Sequence, residues 1–258
     1  MQSPVTPFTD DFSLDLPTFE RLLDFHVRTG ATAISWPHHK GESLSLTIAE
    51  RELFAEAAVR VVNGRIPVTI HVSALAVEDT MELARHAQKI GADGILAITP
   101  YFWTPSLPAI EAYFVRLCSA IELPVLSYNS PSYLAGVEIT GALMSRLIER
   151  LPNFAGAIGA TGMFAPLAAI APRMVRELYD LCRAEKLFEA RPVQEQLAAL
   201  RQSIKLGGVA ALKAAMRAMG RDCGEPRAPV LALEAVSLQR LVSELEAIAL
   251  LRSEPCGW

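Results

Sequence analysis

The sequence predicts an α/β protein built on a parallel sheet and continued by a helical tail. Short apolar, β-branched-rich runs alternate with longer segments of helical period, five or six times in succession. The strand runs are apolar throughout rather than alternating, as burial on both faces requires. After Gly162 the strand-like runs stop and the chain reads as helix. With 51% hydrophobic and 20% charged residues, the 258-residue chain is too apolar for disorder and can fill one large core or two small ones.

The elements follow in order. A helix runs from about Pro17 to Arg28, with Asp15 as its cap and Gly30 as its stop. The strand Ala31 to Trp36 ends at Pro37. Thr47, with Glu50 three residues on, forms a capping box for a helix reaching Val62, and Asn63-Gly64 closes it. Strand Val68 to Val72, helix Val77 to Ile90, strand Gly94 to Thr99 and helix Leu107 to Ile121 come next. Strand Val125 to Tyr128, helix Gly141 to Arg150 and a short strand Phe154 to Ile158 complete the alternation. From Ala171 to about Gly220 the pattern is helical, with breaks near Arg191-Pro192 and at Gly207-Gly208. A loop, Arg221 to Pro229, leads to a last helix from about Leu233 to Leu251. Residues 1–162 form the β/α portion and 163–258 the helical portion. No low-complexity linker separates them, so one integrated domain is expected.

A net charge of −4 without long runs of one sign argues against a nucleic-acid or polybasic membrane surface. Cys118, Cys182, Cys223 and Cys256 lie far apart and read as reduced thiols. No window is apolar enough for a membrane span, and the first residues lack the pattern of a signal peptide. A cytoplasmic protein is expected.

An open doubly wound sheet and a closed barrel both fit the alternation. The GxGxxG that a dinucleotide-binding fold would carry after its first strand is missing, and no cofactor is expected. A barrel places its chemistry at the C-terminal ends of its strands. There the sequence reads Trp36-Pro37-His38-His39-Lys40-Gly41-Glu42-Ser43, then Thr99-Pro100-Tyr101-Phe102-Trp103, then Ser127-Tyr128-Asn129-Ser130-Pro131-Ser132-Tyr133. The first is a dense polar cluster, the second an aromatic one, and the third offers a tyrosine able to move protons.

Several of these segments resemble a known family. Val5-Thr6-Pro7-Phe8, Gly41-Glu42-Ser43 with Leu46-Thr47 and Glu50-Arg51, Thr99-Pro100-Tyr101, and Tyr128-Asn129-Ser130-Pro131 occur in the order and spacing of the dihydrodipicolinate synthase / N-acetylneuraminate lyase family of class I aldolases. Ala171-Pro172-Arg173 through Ala190-Arg191, Ile204-Lys205 and Lys213-Ala214-Ala215 are similar to its helical tail. The resemblance implies a TIM-type (β/α) barrel with C-terminal helices, assembled as a homo-oligomer. It implies pyruvate-like keto-acid chemistry through a lysine Schiff base. Tyr128 takes the family's proton-relay position. His38-His39-Lys40-Gly41-Glu42 takes that of the loop binding the keto acid's carboxylate, so His39, Lys40, Gly41 and Glu42 are the candidate substrate-binding residues.

The sequence also departs from the family. Ile158 occupies the position of the Schiff-base lysine. Gly159-Ala160-Thr161-Gly162-Met163 resembles the family's eighth strand, so the barrel is expected to be shortened by about two β/α units. At roughly 30 residues each, the loss is on the order of 50 residues. Phe102 replaces a second tyrosine, and Tyr133 an arginine that grips a second carboxylate. Of the five lysines (Lys40, Lys89, Lys186, Lys205 and Lys213) only Lys40 falls at a strand C-terminal end. Three readings follow: a pyruvate-type lyase or aldolase, an inactive relative that binds a keto acid or a partner subunit, and a metal-dependent aldolase using His38 or His39, His71 and Glu42.

Overall fold

The computed structural model of the chain describes residues 1–101, 104–129, 138–157 and 165–258. In chain order the described elements are α1 (Leu16–Arg28), β1 (Ile34–Trp36), α2 (Ile48–Val62), β2 (Val68–His71), α3 (Val77–Lys89), β3 (Gly94–Ile98), α4 (Leu107–Ser119), β4 (Val125–Tyr128), α5 (Gly141–Arg150) and β5 (Phe154–Ala157). The tail contributes α6 (Pro172–Arg183), α7 (Leu187–Lys205), α8 (Gly208–Ala218) and α9 (Ala235–Ala247). The chain divides into two compact units. One is Met1 with Leu46–Phe164; the other joins Gln2–Ser45 to Ala165–Trp258.

In the first unit β2, β3, β4 and β5 lie parallel in chain order. Ile95, Leu96 and Ala97 of β3 are fully buried, as a strand covered on both faces must be. The expected capping box closes the start of α2: the Thr47 hydroxyl accepts from Glu50 N–H, and the Glu50 carboxylate accepts from Thr47 N–H at 2.8 Å. Asn63 ends that helix in the left-handed conformation. Phe114 of α4 meets Phe154 of β5 edge-on at 5.4 Å. The Asn153 amide donates to the carbonyls of Cys118 and Ile121, both at 3.0 Å, and so fixes the α4–β4 turn from the start of β5. Between β4 and β5 the register shifts at Val125/Leu126, opposite Gly156. Gly156 has φ +102°, which a side chain would oppose.

In the second unit Gln2 bridges to Ile34 of β1 through bonds to Ala33 and Ser35, both at 2.8 Å. Asp15 caps α1 as expected. Glu254 caps α6 from far along the chain, its carboxylate accepting from Arg173 N–H at 3.0 Å and Met174 N–H at 2.8 Å. The buried Arg221 donates to the carbonyls of Ala169, Ile170, Pro255 and Gly257, which joins the start of the tail to its end.

Two expectations for the tail need correction. Pro192 lies inside α7 rather than at a break. Proline removes one helical hydrogen bond, and the carbonyl it would have reached belongs to Phe188, an exposed residue near the helix start, where water can take its place. The chain turns instead at Glu185, which adopts φ 60° between α6 and α7. The last helix stops at Ala247 and continues as a 3₁₀ turn over Ala249–Ser253.

Candidate active site

The polar turn after β1 lies in the second unit. His39–Gly41 is a single 3₁₀ turn ended by Glu42 in the left-handed conformation, φ 54°. Thr6 pins it by donating to Gly41 O at 2.6 Å, and Trp36 Nε1 donates to the Thr6 hydroxyl at 3.2 Å. A Cβ on Gly41 would stand 3.2 Å from Pro4 O and from Trp36 Nε1, so close packing selects glycine here. His38 Nε2 lies 2.7 Å from Ser35 Oγ. His39 is exposed and Lys40 half-buried. Desolvation by the surrounding turn, joined for His39 by the neighbouring Lys40 charge, holds both below their ordinary pKa values.

Glu42 turns into the fold. Its Oε1 is 2.9 Å from Lys213 Nζ of α8, and both side chains are only 1% exposed. Its Oε2 accepts from Arg227 N–H at 2.8 Å. Lys213 also donates to Glu225 O at 3.1 Å and sits 4.4 Å over the Phe8 ring, which Arg227 approaches at the same distance. Burial lowers the Lys213 pKa, and the Glu42 charge opposes that shift. Arg227 further donates to Ser45 O and Phe12 O at 3.0 and 2.7 Å. The Glu42 carboxylate therefore holds the turn's carboxyl end in place.

In the first unit a second polar cluster forms where β2 and β3 end. Arg51 of α2, 4% exposed, donates to the carbonyls of Ser73 at 2.9 Å and His71 at 2.5 Å. Ser73 Oγ accepts from Ile98 N–H at 2.8 Å, and Thr80 Oγ1 from Ala74 N–H at 3.1 Å. Burial brings the Arg51 pKa down to about 10 and pushes the Tyr113 phenol up to about 12, although bonds to Thr80 and Ser73 oppose the latter. Burial also raises Tyr101, against the nearby Arg51 charge. Tyr128 is half-buried at the end of β4, and the Asn129 amide binds both backbone groups of Ile139 at 3.1 Å.

His39, Lys40, Gly41 and Glu42 thus share one turn, and Tyr128 ends a strand of the other unit. Phe102, Tyr133, Ile158 and the run Gly159 to Met163 lie outside the described residues. The metal reading is corrected: among the described residues no three His, Cys, Asp or Glu side chains gather as a metal requires. Glu42 is already committed to Lys213 and Arg227, and His38 to Ser35. Sequence reasoning quotes Arg51 and Lys213 only as part of the family pattern and misses the roles they take in the fold. The signal for Arg51 is legible, since it falls with Phe54, Ala55, Ala58 and Val62 on the buried stripe of α2.

The parallel strands with intervening helices and the helical tail make this an α/β protein, and its likeness to solved dihydrodipicolinate synthases places the fold in the TIM-barrel class. YagE of Escherichia coli, of the dihydrodipicolinic acid synthase family and solved with pyruvate, superposes with a TM-score of 0.87 at 24% identity, over 96% of this chain and 97% of its own. A family model decides the matter further: the chain belongs to the dihydrodipicolinate synthetase family, matched in two segments, residues 1–157 and 155–248. A 4-hydroxy-tetrahydrodipicolinate synthase of Corynebacterium aurimucosum is 30% identical over 284 residues, covering 96% of this chain and 93% of the relative. That alignment is longer than the 258 residues of the chain, so the relative carries residues with no counterpart here. The "Probable 2-dehydro-3-deoxy-D-pentonate aldolase YjhH" of Escherichia coli is 34% identical over 149 residues, 58% of this chain and 49% of its own. No helix among the described residues is long and apolar enough to cross a membrane.

Proposed function

We propose that this chain binds a 2-keto acid of the pyruvate type and acts on it as a lyase or aldolase, making or breaking a C–C bond. The observation that carries the reading is the family match along nearly the whole chain. The relatives' names, a synthase and an aldolase, and the pyruvate in the YagE complex support the same substrate class. In this reading the turn of His39, Lys40 and Gly41 receives the keto acid, with His39 and the Gly41 backbone at its carboxylate. Glu42 holds their turn, and Tyr128 moves the proton. The two-segment match supports a missing stretch at 155–157, directly before Ile158. The protein is proposed to work in the cytoplasm as a homo-oligomer, which sedimentation would check. Ile158 in the lysine's place favours one other reading, an inactive keto-acid binder.

The test pairs calorimetric binding of pyruvate with exchange of its methyl protons in deuterated water. That exchange is the half-reaction common to every aldolase on this substrate, whatever the second partner. Binding with exchange is the expected result. Binding without exchange establishes the inactive binder, and neither, over a panel of 2-keto acids, overturns both readings.

A further inference from the structure

The family's Schiff-base position holds Ile158, and imine formation needs a primary amine, which among the side chains only the five lysines carry. Lys89, Lys186 and Lys205 are exposed helix-end or loop residues of no confined site. Lys213 is closed off: Glu42, Glu225 O and the Phe8 ring surround its amine, and it is 1% exposed. Lys40 is different. It is half-buried, and among the described residues no carboxylate lies within ion-pair distance of it. Partial burial without a counter-charge makes the ammonium easier to deprotonate than a fully hydrated one.

We propose that Lys40 is the amine that forms the imine with the keto acid, an assignment that rests on the keto-acid reading of the protein. The Lys40 Nζ lone pair attacks the C2 carbonyl to give a carbinolamine. Proton transfer to its hydroxyl expels water, and the C=N bond replaces C=O with no change of oxidation state. The protonated imine then accepts the electron pair released when a bond at C3 breaks.

Three features favour Lys40 in this role. Its backbone is fixed, because the following residue is pinned through Thr6 and the turn's far end through Glu42 and Lys213. Its amine lies beside Gly208, where a Cβ would come into van der Waals contact with Nζ at 4.0 Å, so the missing side chain leaves the amine uncovered on that side. Gly208 opens α8, whose positive end and the partial burial both favour the neutral, nucleophilic amine.

The experiment is borohydride reduction of the full-length protein with pyruvate, followed by intact mass and peptide mapping. The same sample is titrated with pyruvate by calorimetry. The expected result is one reduced pyruvyl group per chain on Lys40, saturating with pyruvate concentration. The adduct is lost in Lys40→Arg, which keeps the charge and the wild-type melting temperature but cannot form an imine. An adduct on another lysine, its survival in Lys40→Arg, or none in protein that binds pyruvate would overturn the assignment while leaving the keto-acid reading intact. Absence of binding across the 2-keto acid panel would remove that reading, and the assignment with it.

Discussion

The two units each bury a cation near the end of a strand, and they satisfy it in opposite ways. Lys213 faces a carboxylate as buried as itself, with a carbonyl and an aromatic ring completing its surroundings. Arg51 is held by the carbonyls of His71 and Ser73. An ammonium is a compact charge that gives up strong hydration, so it needs a full counter-charge. A guanidinium is broader and more weakly hydrated, and two carbonyls suit its fork. Burial alone therefore says little about chemistry: the most buried lysine is a structural strut, and the half-open one, Lys40, has the properties of a nucleophile.

The largest effect should come from breaking the Lys213 pair. Lys213→Met strands Glu42 in the interior and is expected to cost about 3–5 kcal/mol, read by urea unfolding. Adding Glu42→Gln to that variant should recover part of the loss, because no buried charge remains unpaired. If Lys213→Met alone unfolds no more easily than wild type, the pair is not the strut described.

Arg51→Leu keeps the bulk but removes two donors, and should cost about 2–3 kcal/mol from the carbonyls left without them. The loss should not depend on a carboxylate partner, so a matched carboxylate deletion at Asp79, whose charge acts on Arg51, should leave it nearly unchanged. Strong coupling between the two would erase the contrast between the units.

His26 sharpens the comparison with a group that stays neutral. It is fully buried, and burial, with the Arg221 charge, lowers its pKa from 6.5 to about 3. Phe25 and Arg221 are its aromatic and charged neighbours. Its folded pKa is depressed, so the unfolded chain binds the proton first and stability falls as pH drops below about 6.5. The loss approaches about 1.4 kcal/mol per pH unit down to about 3, or about 2 kcal/mol at pH 5. His26→Phe should flatten that part of the pH–stability curve; an unchanged slope would mean that the ring is charged in the folded state.

Much of the fold is legible in the amino-acid sequence. The capping box at Thr47 and Glu50, the Asp15 cap and the strand runs through Val68, Gly94 and Val125 all depend on neighbours in the chain, and each forms where expected. Pro192 misleads because proline's cost depends on where in a helix it falls and whether water reaches the freed carbonyl. The polar turn at His38 to Ser43 is recognisable as a candidate site from its composition. Glu42 has the residue type of a ligand there, yet its carboxylate points at Lys213.

By itself, the sequence determined the order and kind of the elements, their caps, the family and the absence of a lysine at Ile158. All of these are written in periodicity, short-range hydrogen bonding or residue identity. Only the tertiary structure decided which cations are struts. Glu42 meets Lys213 and Arg227, and Arg51 meets the end of β2, across stretches of chain that no local pattern spans. A lysine's identity fixes its charge, but whether that charge is neutralised, desolvated or left open to a ligand depends on what folding brings beside it.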